Sequence, residues 1–202
     1  MSSLSLLLYK GASCFNCEGA FMYEELSSAK RKKLKIMARI FIAICFNNVF
    51  KQALVDVQNA LKARGVKGNY CAYGNLHMTL AFIGERYDMA EIQRAVSEVA
   101  FSPFLLTLGT LGTFPTKAGV IWCGVEACQA VTMLAHQLRE RLSAHGVSYS
   151  KTAFFPHISL VQHPTPIVTD VDVAKMSIMV DKICVMKSER VEGELVYSVY
   201  DT

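Results

Sequence analysis

One order of elements, strand, helix, loop and His-bearing strand, occurs twice in this chain at an offset of 80 residues. The first copy opens on the apolar run Ile40-Phe41-Ile42-Ala43-Ile44-Cys45-Phe46. Phe50, Leu54, Val57 and Leu61 follow at helical spacing, ending at Gly65, and then comes His77-Met78-Thr79-Leu80. The second opens on Val120-Ile121-Trp122-Cys123-Gly124-Val125. It continues through Val131, Leu134, Leu138 and Leu142 to His145-Gly146, and then reaches His157-Ile158-Ser159-Leu160. Such a register is the mark of a degenerate internal duplication. His163-Pro164-Thr165 also fits His-x-hydroxyl, but Pro164 and Pro166 fix φ and remove ladder donors, so it is expected to be a loop.

In a strand, residues i and i+2 share a face. Each motif therefore projects its imidazole and hydroxyl together, while Met78, Leu80 and Phe82, or Ile158 and Leu160, project the other way. Two imidazoles and two hydroxyls suit a phosphate group without a metal. One ring takes a proton, the other gives one, and the hydroxyls hold non-bridging oxygens. A two-histidine metal site is disfavoured, because the motifs supply hydroxyls rather than carboxylates or a third imidazole. His136 on a helix and His145 near its end receive no catalytic role.

The remaining elements follow from pattern. Arg39–Phe46 is a strand, and Asn47 or Asn48 caps a helix over 49–64. Leu76–Ile83 is the first His strand. Asp88 caps a helix to about Ala100. Phe104–Leu111 and Gly119–Val125 are strands, Gln129–Ala144 is a helix, and Phe155–Val161 is the second His strand. Ile178–Met186 and Glu194–Tyr200 form a closing hairpin around Glu192-Gly193. This order predicts an α+β fold with two antiparallel sheets and helices packed outside.

Composition narrows the class. At 52% apolar, 202 residues can bury a core, and no run reaches the roughly 18 apolar residues that span a bilayer. The seven cysteines are scattered, with Cys45, Cys123 and Cys184 inside strands, which suits free thiols in a reducing, cytoplasmic setting. Cys14-x-x-Cys17 lacks a second pair at ligand spacing. The net charge of +4 is concentrated early: residues 1–36 hold six Lys/Arg and three Glu, and the remainder 15 basic and 14 acidic residues. A nearly neutral body does not bind long nucleic acid by counterion release. Residues 1–36 match neither repeat and are expected to be an extra segment, disordered or not native to the protein, ahead of a single domain at 37–202.

The chain resembles the 2H phosphoesterases, and within them the bacterial and archaeal RNA 2′,3′-cyclic phosphodiesterases, historically called 2′-5′ RNA ligases. The matching stretches are Arg39-Ile40-Phe41-Ile42-Ala43, Asn75 to Glu85, Leu111-Gly112-Thr113-Phe114-Pro115, Val120-Ile121-Trp122, Phe155 to Leu160, Lys187-Ser188 and Tyr197. The resemblance implies two pseudo-symmetric lobes, each an antiparallel sheet with outer helices, facing across an active-site cleft with one His motif per lobe. It implies that His157 activates water and His77 protonates the leaving 3′ oxygen, with Thr79 and Ser159 on the phosphoryl oxygens. It implies no cofactor or metal, and as partner an RNA end or small nucleotide carrying a cyclic phosphate. No membrane association is expected, and the chain is expected to be a monomer.

Relatives often carry Arg shortly after each motif. Here Ala81 and Gln162 follow, so Lys117 and Lys151 are the candidate substitutes, and Phe114 is the candidate for stacking on a base. Two alternatives stand beside the RNA enzyme: a phosphodiesterase for a small nucleotide such as a 2′-5′ oligonucleotide or ADP-ribose cyclic phosphate, and a catalytically silent module that binds nucleotides or RNA ends.

Overall fold

The computed structural model describes residues 38–86, 89–114 and 119–200. The segment before residue 38, with Cys14 and Cys17, lies outside them, as do Asp88 and Lys117.

Strand β1 (Ala38–Cys45) is apolar on both sides. Ile40, Ile42 and Ile44 are buried in the main core on one face, and Phe41 and Ala43 on the other, where they cluster with Met186 and Tyr197. Helix α1 (Asn48–Ala63) starts where Phe50 N–H donates to Asn47 Oδ1 at 2.9 Å. It buries Phe50, Leu54, Val57 and Leu61 and stops before Gly65, whose φ of +79° suits glycine. Then follow β2 (Lys67–Tyr70), a 3₁₀ turn (Tyr73–Asn75), β3 (His77–Arg86), α2 (Ala90–Ser97), β4 (Phe104–Thr113), β5 (Val120–Val125) and α3 (Gln129–Ala144). β6 (His157–Thr165), β7 (Ser177–Val180), β8 (Cys184–Val191) and β9 (Glu194–Val199) complete the chain.

The fold is α+β, as the sequence suggests. One antiparallel sheet has the order β3-β1-β8-β9 and the other β2-β6-β5-β4-β7. The trios β3-β1-β8 and β6-β5-β4 are counterparts, so the two sheets are the two lobes of the duplication. The helices exchange: α1 packs on β6 of the second sheet, and α3 packs on β3 of the first.

Four expectations change. The run at Ile178–Met186 is two strands in different sheets: β7 pairs with β4, and β8 with β1 and β9, because exposed Asp181 and Lys182 carry the chain across. The β8–β9 hairpin does turn at Glu192-Gly193, with φ of 52° and 89°, both positive as a two-residue type I′ turn requires. β2, which carries no alternation, forms by pairing with β6. His163-Pro164-Thr165 is the irregular end of β6 rather than a loop: His163 has φ of 54°, and its N–H donates to Gly119 O. Phe82 points away from Met78 and Leu80 and lies at the cleft, 45% exposed.

Phe82 turns because β3 is bulged. Ala43 pairs with Thr79 and Ile42 with Ala81, which leaves Leu80 unpaired, and Leu80 and Ala81 are both buried. An extra residue on one strand flips the alternation beyond it. β6 does the same 80 residues later: Trp122 pairs with Ser159 and Ile121 with Val161, Leu160 is skipped, and Leu160 and Val161 are both buried. The bulged carbonyls are taken by side chains of the exchanged helices. Gln58 Nε2 donates to Leu160 O at 3.0 Å and to Cys71 O at 2.9 Å. Arg139 Nε donates to Leu80 O at 3.2 Å and its Nη1 to Thr152 O at 2.9 Å.

Candidate active site

The buried partners of each motif set its orientation. Met78, Leu80, Ile158 and Leu160 are fully buried, each contributing about 1.5–3 kcal/mol of apolar burial. Alternation then leaves His77, Thr79, His157 and Ser159 half-buried on the opposite face, and all four line one cleft of about 680 Å³. Phe41, Phe82, Tyr197, Tyr70, Asn75 and Gln162 also line it.

Both imidazoles are anchored by one device. His77 Nδ1–H donates to Asn75 O at 2.6 Å, and His157 Nδ1–H donates to Phe155 O at 2.8 Å. A carbonyl only accepts, so the proton of each neutral ring sits on Nδ1 and Nε2 carries the lone pair. His77 Nε2 lies 2.9 Å from Thr79 Oγ1, whose hydroxyl donates to the neutral ring.

Burial pushes both rings below the ordinary 6.5, since it penalises the imidazolium. The carbonyl acceptors oppose this. At His77 the charges of His157 and Lys51 add to the lowering. The response of His77 to the charge of His157 couples the motifs electrostatically. Behind His77, Cys45 stands opposite it on β1. The Cys45 thiol donates to Met186 Sδ at 3.5 Å, and the neighbouring Cys184 together with burial pushes Cys45 up.

Aromatic rings brace the pair. Phe41 and Tyr197 lie 4.8 and 5.2 Å from the His77 ring, Tyr197 edge-on. Phe114 meets His157 edge-on at 4.8 Å and also packs on Trp122 and Phe155. Gly112 leaves room for the Trp122 ring, since a Cβ there would overlap the ring's Cη2 and Cζ2.

The remaining sequence candidates divide. Phe114 flanks His157 and is not among the residues lining the cleft. The Lys151 ammonium sits 3.7 Å over the Tyr149 ring and does not line the cleft either. Lys117 lies outside the described residues. Ala81 is buried, so the cleft-facing counterpart of Gln162 is Phe82, displaced by the bulge. Lys51 is the cation whose charge His77 feels; its Nζ donates to Gly74 O at 3.3 Å, and its place on α1 gave no hint of this. Asn75, two residues before His77, lies in the stretch that carries the family resemblance, and no local pattern gives it a role of its own. Among the described residues no three His, Cys, Asp or Glu side chains group as metal ligands, and no helix is long and apolar enough to cross a membrane.

Comparison with known proteins places this arrangement. The model of the 2′-5′ RNA ligase superfamily matches residues 59–192. The RNA 2′,3′-cyclic phosphodiesterase of Thermotoga maritima is 29% identical over 174 residues, 80% of this chain and 92% of that protein. The protein of the same name from Archaeoglobus fulgidus is 31% identical over 140 residues, 66% of this chain and 78% of that one. The crystal structure of E. coli LigT complexed with NADP+ aligns with a TM-score of 0.68 at 26% identity, over 82% of this chain and 95% of that chain. With both His motifs inside the matched span, the chain belongs to the 2′-5′ RNA ligase superfamily.

Proposed function

We propose that the protein hydrolyses a 2′,3′-cyclic phosphate, on an RNA end or a nucleotide, to a 2′-phosphomonoester by acid–base catalysis between His157 and His77. One observation carries the reading: two imidazoles held in the same tautomer present Nε2 to one cleft beside two hydroxyls. The name borne by the Thermotoga and Archaeoglobus relatives supports the substrate class.

His157 Nε2 takes a proton from water as the water oxygen bonds to phosphorus. The bond from phosphorus to the 3′ oxygen breaks in line, and His77 Nε2–H delivers a proton to that oxygen. Thr79 and Ser159 donate to the non-bridging oxygens, where charge builds. His77 must release Thr79 to do this, since the hydroxyl donates to the neutral ring and is free once Nε2 is protonated. With a 5′ hydroxyl of a second RNA end in place of water, the same displacement releases the 3′ oxygen and leaves a 2′-5′ phosphodiester, which is ligation, and attack by the 3′ hydroxyl on that linkage reverses it. The five described cysteines are free thiols, in keeping with a reducing cytoplasm, and the working unit is a monomer of residues 37–202.

The cleft favours a short substrate. Its described lining has no Lys or Arg and includes Glu194, and its volume of about 680 Å³ suits a nucleotide rather than a strand. The test is turnover of a 2′,3′-cyclic mononucleotide and of a cyclic-phosphate-ended oligomer in EDTA, with the product isomer read by ³¹P NMR. A 2′-phosphate in both, with kcat/KM no higher for the oligomer, is expected. A 3′-phosphate, or activity restored only by a divalent ion, contradicts the mechanism; an oligomer strongly preferred contradicts the small-substrate reading.

A further inference from the structure

Asn75 joins His77 to a strand at the other end of the chain. Its backbone O accepts His77 Nδ1–H at 2.6 Å. Its side-chain Nδ2 donates to Leu195 O at 2.7 Å, and its Oδ1 accepts Tyr197 N–H at 3.0 Å. β9 is the outer strand of its sheet, so the carboxamide satisfies edge groups that would otherwise need another strand or water. The same turn is tied to α1: Tyr73 Oη–H donates to Asn48 O at 3.3 Å, and Lys51 Nζ donates to Gly74 O.

We propose that Asn75 is a positioning residue for His77. By clamping the turn between α1 and β9, its carboxamide fixes the carbonyl that sets the tautomer and tilt of the ring, and keeps Tyr197 edge-on to it. The proposal rests on the reading of His77 as one of the two acid–base groups.

The chemistry of the side chain supports this. The clamp needs one donor and one acceptor at the reach of a single methylene, which an asparagine carboxamide supplies. Aspartate would turn a carboxylate oxygen toward Leu195 O with nothing to donate. His157 has the same carbonyl anchor, but the residue there is Phe155, whose ring is 47% exposed and cannot clamp a strand edge. Loss of the Asn75 carboxamide therefore acts on one imidazole and spares the other. The titratable and charged groups around His77 are His157, Lys51 on α1, Cys45 on β1, Cys71, Tyr197 on β9 and Glu194 on the cleft wall; a change in any of them must be read out separately.

The test uses the full chain, Asn75→Ala, and Asn75→Asp as the isosteric variant. Imidazole ¹H–¹⁵N spectra, assigned with His77→Ala and His157→Ala, report tautomer and titration of each ring without substrate. Turnover of a 2′,3′-cyclic nucleotide is measured alongside. In Asn75→Ala, His77 is expected to lose its uniform Nδ1–H tautomer and shift its titration while His157 stays put, and kcat to fall by up to about 100-fold with KM little changed. In Asn75→Asp, the added carboxylate is expected to move the His77 titration upward. A folded variant in which His77 keeps its tautomer and titration, or in which both rings shift alike, overturns the proposal. A selective His77 shift with turnover unchanged upholds the positioning role and contradicts the acid–base reading instead.

Discussion

Each imidazole donates Nδ1–H to the carbonyl two residues before it, so a strand that begins at the histidine carries its own tautomer lock. The pH response follows from the lowering of both rings below 6.5 in the free protein. The profile of kcat/KM reports the free protein: its rising limb belongs to the base losing a proton and its falling limb to the acid losing one. With both below 6.5, the maximum is expected below 6.5, with activity falling through neutral pH. A bound phosphate favours both imidazolium forms, so the kcat profile is expected at higher pH than that of kcat/KM. A kcat/KM that climbs to pH 8 contradicts the pairing. At this scale the histidines and hydroxyls were legible in the sequence, because residue type and spacing define them. Asn75 was not, because its clamp depends on Leu195, 120 positions away, and local pattern does not report such a neighbour.

Among the elements, β1, α1 and α3 were readable because their apolar periods are long and unbroken. The bulges were not: alternation predicts Phe82 beside Leu80, and the skip at Leu80 shows only when β1 supplies a partner. Ile178, Val180, Ile183 and Val185 read as one apolar stretch, so the sequence does not separate β7 from β8, whose membership of two sheets is a tertiary fact. The bulges yield a test of the exchanged helices. Gln58→Leu and Arg139→Met each withdraw a donor from a bulged carbonyl. Each is expected to cost about 1–3 kcal/mol in urea unfolding, with Arg139→Gln recovering part of the loss. Changes within about 0.5 kcal/mol, typical of ordinary surface positions, would show that these side-chain donors are dispensable, Leu160 O keeping the Cys71 N–H that it also accepts at 2.8 Å.

For the molecule as a whole, the proposed chemistry requires two sheets to present His77 and His157 to one cleft, which neither lobe holds alone. The duplication was legible as an 80-residue offset; the crossing of α1 and α3 to opposite sheets was not, since helical periodicity shows which face is buried and not what covers it. The nine strands among the described residues build both sheets and carry both motifs, so deletion of residues 1–36 is expected to leave folding and turnover of a cyclic nucleotide unchanged; an insoluble or inactive product would make that segment structural. The central claim is that the two histidines together move the protons, and turnover of a 2′,3′-cyclic nucleotide by His77→Ala and His157→Ala in EDTA tests it most directly. Each variant is expected to keep the wild-type circular dichroism and to lose roughly 10²–10⁴-fold in kcat, with the double variant little worse than the singles. Near-wild-type turnover in either folded variant would contradict the account.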